Sequence, residues 1–455
     1  MFLSKLGSFV AETRYDDLPD EVVEQAKLHL LDTIGCGLLG WQINVYRPFL
    51  ELIKDLDMKK ESSVFGEQWK GTCLNASLIN AVMINSTDYE GTHRASVSHP
   101  AAIIIPAALA MGERERADGK AVIEALAVGY ECFGRVATSL NPSHMRRGFH
   151  TTATAAPLGT AAVASKILKF KEGRATNALS LAATQGAGFL ESCGVLECKN
   201  FQVARSGQSG ILSALLTEKE VRAPSTMLEG GSFYPTGLLQ AFSDSYKTER
   251  LTMGLGKGFE ISQTAIKLHG GCRYVHSSID GAIEVCREYS LRPDDIESIT
   301  VKLTSQASRL MLSEPKTGDE ARFHIPFAVS IAILEGDVGF HKFSTEKLQD
   351  PKINAFSKKV KGVSDARLDQ EAERTGNLFA SVIEAKTKDG KTYTTKTEYP
   401  KGEPENPLSK EQILNKFRRL ASGVIGPDRS ERIISLIEEL EKVDDISKIM
   451  SLAQR

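Results

Sequence analysis

The sequence predicts a mainly α chain: a large all-helical domain, then a smaller α+β domain, with a last segment that returns to helix. Three observations carry this. Apolar residues recur at helical spacing over most of the first half; the stretch 151–216 is rich in Ala, Gly, Ser and Thr; and period-two alternation appears only after about residue 256. A chain of 455 residues is also too long for one simple core and divides into two domains.

Taken in order, Pro19 opens a helix in which Val23, Ala26, Leu30 and Ile34 share one face. The stretches 46–56, 74–83, 101–111 and 121–138 keep the same period. In 151–216 small side chains let helix axes approach closely, which marks the buried centre of the helical domain. The pattern IESITVKLT then places Ile299, Val301 and Leu303 on one side of a half-buried strand. SVIEAKTK and KTYTTKTE flank Asp389–Gly390, a strong hairpin signal. Residues 326–334 and 344–348 read as helices, GEPENP at 402–407 as a turn-rich connector, and 409–455 as helix packing back on the first domain.

Composition excludes several classes. The 56 basic and 58 acidic residues nearly cancel, and no basic block suited to nucleic acid or an anionic membrane occurs. No run reaches the apolar length of a membrane span, and the first residues lack the apolar core of a signal peptide, so a cytoplasmic protein is expected. Seven scattered cysteines without paired spacing argue against a disulfide framework and a zinc site. GxGxxG after a strand, the P-loop, HExxH and GxSxG are all missing from the sequence. What remains is acid–base chemistry on a small anionic molecule.

The residues suited to it cluster. Asp88, Glu90, Thr92, His93, Arg94 and His99 form a polar run between a small-residue helix and a strongly apolar one, although the same types also cap helices and build turns. His144 and His150, with Arg146 and Arg147 beside them, precede another small-residue helix, whose N-terminus favours anions; His150 equally reads as a cap or packing residue. Lys199 and Arg205 repeat the arrangement of cation, glycine and helix start, where most lysines merely line a surface. Lys267, His269, Cys272, Arg273 and His276 concentrate where the helical part gives way to the α+β part.

DYEGTH at 88–93 followed by HPAAIIIPAALA, GYECFGR at 129–135, RGFHTT at 147–152, KNFQVARSGQSG at 199–210, LEGGSF at 228–233, KLHGGCRYVH at 267–276, HIPFAVSIAIL, YPKGEPENPLS and KFRRLA occur in this order. Together they resemble the MmgE/PrpD family, which includes 2-methylcitrate dehydratase, cis-aconitate decarboxylase and iminodisuccinate epimerase. The resemblance implies a discontinuous helical domain (1–266 and 404–455) with an inserted smaller α+β lid domain (267–403), a homodimer, and a junctional active site without metal or organic cofactor. It matches Asp88, Thr92, His99, His150, Lys199 and Lys267 to active-site positions. The expected activity is a hydro-lyase of a hydroxy di- or tricarboxylate such as 2-methylcitrate, with epimerisation, decarboxylation or non-catalytic carboxylate binding as alternatives. In this reading Lys199, Lys267 and Arg273 clamp carboxylates, His150 and Asp88 exchange protons, His99 and Thr92 orient them, and Arg205, His269 and Cys272 complete the substrate contacts. The chain departs from the common family pattern at Asn85, at Gln202, where a His-Pro pair is frequent, and at LHGGCR, where Cys272 stands in place of a histidine of the decarboxylases.

Overall fold

Apolar residues three and four apart wind most of the chain into helix. A computed structural model describes residues 1–309 and 314–455. Its longer helices are α1 (Phe2–Glu12), α2 (Asp20–Ile43), α3 (Arg47–Leu56), α4 (Cys73–Ser86), α5 (Ala101–Glu115), α6 (Gly119–Leu140), α7 (Thr151–Ile167), α8 (Glu172–Ala183) and α9 (Leu196–Glu218). There follow α10 (Arg273–Glu288), α11 (Ile325–Glu335), α12 (Ala366–Thr375), α13 (Lys410–Ile425) and α14 (Pro427–Glu438). Strands β1 (Ile296–Leu303), β2 (Val360–Ser364), β3 (Ser381–Thr387) and β4 (Thr392–Thr397) all lie between α10 and α13. Two units result, Met1–Thr264 with Lys410–Arg455, and Ala265–Ser409.

In the first unit the small residues do what their volume allows. Thr160 on α7 donates through Oγ1 to the Gly207 carbonyl on α9 at 2.7 Å, and a Cβ on Gly210 would collide with the Pro157 carbonyl. Only a backbone without side chain fits there, so α7 and α9 lie nearly in backbone contact. The AAIIIPAALA run of α5 is entirely buried. Local signals set the helix starts: Thr72 accepts from the Asn75 N–H at α4, and Asp118 from the Ala121 N–H at α6.

Helix α13, which opens the C-terminal segment, closes this unit. It lays Phe417 and Leu420 against Gly35 of α2 and brings the buried Lys416 ammonium to 2.7 Å from Asp32 Oδ1. The same ammonium donates to the Tyr89 carbonyl at 2.8 Å and sits 3.9 Å from the Tyr89 ring centroid. One cation thus ties the first long helix, the last segment and the turn at 88–90 together.

The second unit holds a four-stranded sheet in the order β2-β1-β3-β4; β1 pairs parallel with β2 and antiparallel with β3, and β3 pairs antiparallel with β4. Ile299, Val301 and Leu303 face its core, as their alternation predicts, and face Val275, Ile279 and Ala282 of α10 among others. The hairpin at Asp389–Gly390 has Gly390 at φ +86°, a left-handed conformation that suits glycine. The connector read at 402–407 lies inside this unit. Arg273 donates through Nε and Nη2 to Glu403 Oε1 at 3.0 and 2.8 Å, and the Ile266 N–H donates to the Gly402 carbonyl at 3.0 Å.

The Asp32–Lys416 pair has almost no solvent to fall back on, so removing one partner strands a buried charge, at a cost of about 3–5 kcal/mol. Lys416→Met is expected to lower the urea unfolding midpoint accordingly, and adding Asp32→Asn to recover much of the loss. A single variant as stable as the parent would contradict this account.

Candidate active site

Chain ends of helices build the site in the first unit. Helix α4 stops at Ser86, and Asp88 follows in the left-handed region at φ +47°. An aspartate tolerates that conformation better than most residues, though at a cost of about 1–2 kcal/mol. Lys416 on the Tyr89 carbonyl helps to hold the turn in this form. The turn buries both Asp88 and Glu90 and directs them at His99, which lies two residues before α5. His99 Nδ1 lies 3.2 Å from Glu90 Oε1, and Nε2 lies 3.7 Å from Asp88 Oδ1. The imidazole is therefore flanked by a carboxylate on each side.

Two further helix starts complete the group. His150 is the residue before α7, and Lys199 lies in the first turn of α9, its ammonium 3.8 Å from Asp88 Oδ1. The His99 N–H donates to Thr152 Oγ1 at 3.1 Å, which joins the start of α5 to the start of α7. Three helix N-termini meet beside a lysine, and each contributes partial positive charge. His150 is buried, and that burial, reinforced by the charges of Lys199 and His99, holds its pKa down to about 3.

Asp88, Glu90 and His99 are also three potential metal ligands within 4.8 Å of one another. The Lys199 ammonium stands against the same Asp88 oxygen, and its charge opposes a cation there. The donor set with its lysine suits proton exchange beside a bound anion better than metal coordination.

The remaining expected residues divide. Thr92 is buried, and among the described residues its hydroxyl has no hydrogen-bond partner, which leaves it available to a ligand. Arg205 is not gathered in: it is exposed on α9 and donates to Gln208 and Ser209 instead. In the second unit Lys267 is fully buried and donates to the Gly271 carbonyl at 3.3 Å. His269 Nε2 contacts Asp280 at 2.8 Å, and Cys272 precedes α10. Arg273 is engaged by Glu403, by the Lys401 carbonyl and by His276 Nδ1.

Sequence reasoning missed the supports. His93 contacts Ser96 Oγ through Nδ1 at 2.7 Å and Glu260 Oε2 through Nε2 at 2.8 Å, which pins the loop that leads to His99. Asn85 donates to Asn200 at 2.9 Å and joins α4 to α9. Gln202 contacts His150 Nδ1 at 2.8 Å. The i, i+3 spacing of Lys199 and Gln202 was the available signal for the last of these, since it puts both on one helix face.

Comparison with known proteins agrees with this arrangement of motifs. The MmgE/PrpD N-terminal domain model matches residues 4–251, and the MmgE/PrpD C-terminal domain model matches residues 269–442. The chain belongs to the MmgE/PrpD family. Among curated relatives, the cis-aconitate decarboxylase-like protein oryM of Aspergillus oryzae is 26% identical over 99% of this chain and 96% of its own length. The cis-aconitate decarboxylase of Aspergillus terreus is 25% identical, covering 99% and 95%, and that of Mus musculus 25%, covering 96% and 90%. The family likeness therefore runs through both units. Among the described residues no helix is long and apolar enough to cross a membrane.

The buried histidines of this MmgE/PrpD protein make its stability pH-dependent. Burial holds His29 at about 4, as it holds His150 at about 3, against the ordinary 6.5. Both stay neutral in the folded chain while the unfolded chain takes up their protons below pH 6.5, so their contribution is full above that value and is lost as pH falls toward 4. His29→Asn is expected to flatten the fall in stability between about pH 6 and pH 5 by about 1.4 kcal/mol per pH unit, one proton's worth. Denaturant titrations at the two pH values would read it, and an unchanged slope would show that His29 is protonated in the fold.

Proposed function

We propose that this chain is a lyase acting on a di- or tricarboxylate, and that its reaction is the dehydration of a hydroxy acid such as 2-methylcitrate. The carrying observation is the Asp88–His99–Glu90 group beside Lys199, set at three helix N-termini. A proton on carbon next to a carboxylate is weakly acidic, and its removal builds negative charge that needs fixed positive potential in a water-poor site. Lys199 and the helix starts supply that potential. Asp88 takes the carbon-bound proton; the C–H electron pair forms the alkene as the C–O bond breaks. His99, set between the Asp88 and Glu90 carboxylates, protonates the departing hydroxyl, which leaves as water. In this reading the second unit acts as a lid, and the protein works as a homodimer.

Decarboxylation is the second reading, supported by the names of the curated relatives. It needs a proton donor for the new carbanion but no base for a C–H bond, so it would leave Asp88 with a supporting role only.

Proton NMR in deuterium oxide with 2-methylcitrate, citrate and cis-aconitate decides between them. Alkene formed from a hydroxy acid is expected, with Asp88→Asn reducing kcat by about 10²–10⁴. Carbon dioxide release from cis-aconitate with deuterium in the product would move the assignment to decarboxylase. No turnover of any of the three acids would overturn both.

A further inference from the structure

His150 has only one ring nitrogen available to a ligand, and the geometry around Gln202 decides its chemistry. The Gln202 side chain pairs with the backbone of Phe189 on both sides: Oε1 accepts the Phe189 N–H at 2.9 Å, and Nε2 donates to the Phe189 carbonyl at 3.1 Å. The amide cannot be turned over, because its NH2 would then face the Phe189 N–H and its oxygen the carbonyl. With one N–H used on Phe189, the other points at His150 Nδ1, 2.8 Å away.

The backbone frame is itself fixed. The His150 N–H donates to the Gly188 carbonyl at 3.0 Å, Phe149 bridges to Phe189, and their rings stack with centroids 5.7 Å apart. Gly188 lies at φ +146°, and a Cβ there would press on Ala153 and on Gln202 Oε1, so glycine is what lets the amide close on this segment.

We propose that Gln202 is a positioning residue that locks His150 as the neutral tautomer with its proton on Nε2, which makes His150 a fixed hydrogen-bond donor rather than a proton shuttle. Nδ1 receives the amide N–H, so it carries no proton, and the single ring proton resides on Nε2. The charged and titratable groups facing the ring are Lys199 from α9, Asp88 and His99 from the 88–99 loop, and His144 from the turn before α7. Burial, chiefly, and the charge of Lys199 oppose a second proton, against the pull of Asp88. A neutral imidazole donor aimed at a substrate oxygen stabilises charge that develops there without ever being consumed. The tautomer follows from the hydrogen bonds alone, whereas this role rests on the lyase reading: His150 would polarise the substrate carboxylate while Asp88 and His99 carry the protons.

The test is nitrogen NMR on the full-length protein labelled with ¹⁵N-histidine, with the His150 signals assigned by their loss in His150→Asn. Between about pH 5 and pH 8 the parent is expected to show a protonated Nε2 and a bare Nδ1 that do not titrate. In Gln202→Glu a carboxylate oxygen replaces the donor, so Nδ1 must carry a proton. His150 should then become doubly protonated in this range, and the pH profile of kcat/KM should gain an inflection absent from the parent. Gln202→Met, which offers neither donor nor charge, should give a mixture of tautomers without the inflection. A protonated Nδ1 in the parent, a parent ring that titrates in this range, or a Gln202→Glu spectrum like the parent's would overturn the proposal. Because the spectra need no turnover, a protein inactive on every acid would refute the lyase reading and leave the tautomer to be judged separately.

Discussion

The ammonium of Lys416 is the point on which the first unit turns. It sits out of water, 2.7 Å from Asp32, and gives another hydrogen bond to the Tyr89 carbonyl. Such a pair contributes little net stability relative to a well-packed apolar replacement. What it supplies is direction. An apolar side chain at 416 would fill the space equally well but would leave the Tyr89 carbonyl without its donor. The adjoining Asp88 would then have less reason to stay in a left-handed conformation. The charge therefore makes sense as a device for holding a strained turn, and the residues on that turn are the acidic half of the candidate site.

The site's electrostatics follow from where helices begin and end. The end of α4 contributes the carboxylates, and the starts of α5, α7 and α9 contribute His99, His150 and Lys199. Opposite partial charges thus face each other before any ligand arrives. Close packing makes this possible, because the glycine and alanine faces of α7 and α9 let those two helices start side by side. Larger side chains along that contact would separate His150 from Lys199 and would open the gap that Gln202 spans.

Much of this was legible in the sequence. Periodicity revealed the helices, alternation revealed β1 and the β3–β4 hairpin, and the polar run at 88–99 marked the loop that carries the candidate site. Titratable residues next to Gly and small-residue helices pointed to His150 and Lys199. Two features escaped for physical reasons. The Lys416–Asp32 pair links positions 384 residues apart, and KFRRLA reads simply as an amphipathic helix with surface cations. Arg273 and Arg205 carry the right charge for a carboxylate clamp, but charge does not reveal whether a guanidinium is already taken; Glu403 and the backbone take one, and Gln208 and Ser209 the other.

The face of α9 that carries Lys199 and Gln202 explains how such a site can change chemistry while its fold stays put. Both side chains project from a helix anchored by the glycines at 207 and 210, which lie one to three turns further along and sense nothing of the residue at 202. A histidine there would offer Nδ1 of His150 either a donor or an acceptor, depending on its own tautomer. Glutamine offers only a donor once Phe189 has taken its oxygen. Under the tautomer proposal, glutamine at 202 thus fixes the proton of His150 where a titratable side chain could relay it. In the proposed reaction the proton traffic then falls to the Asp88–His99–Glu90 group, on the turn that Lys416 holds.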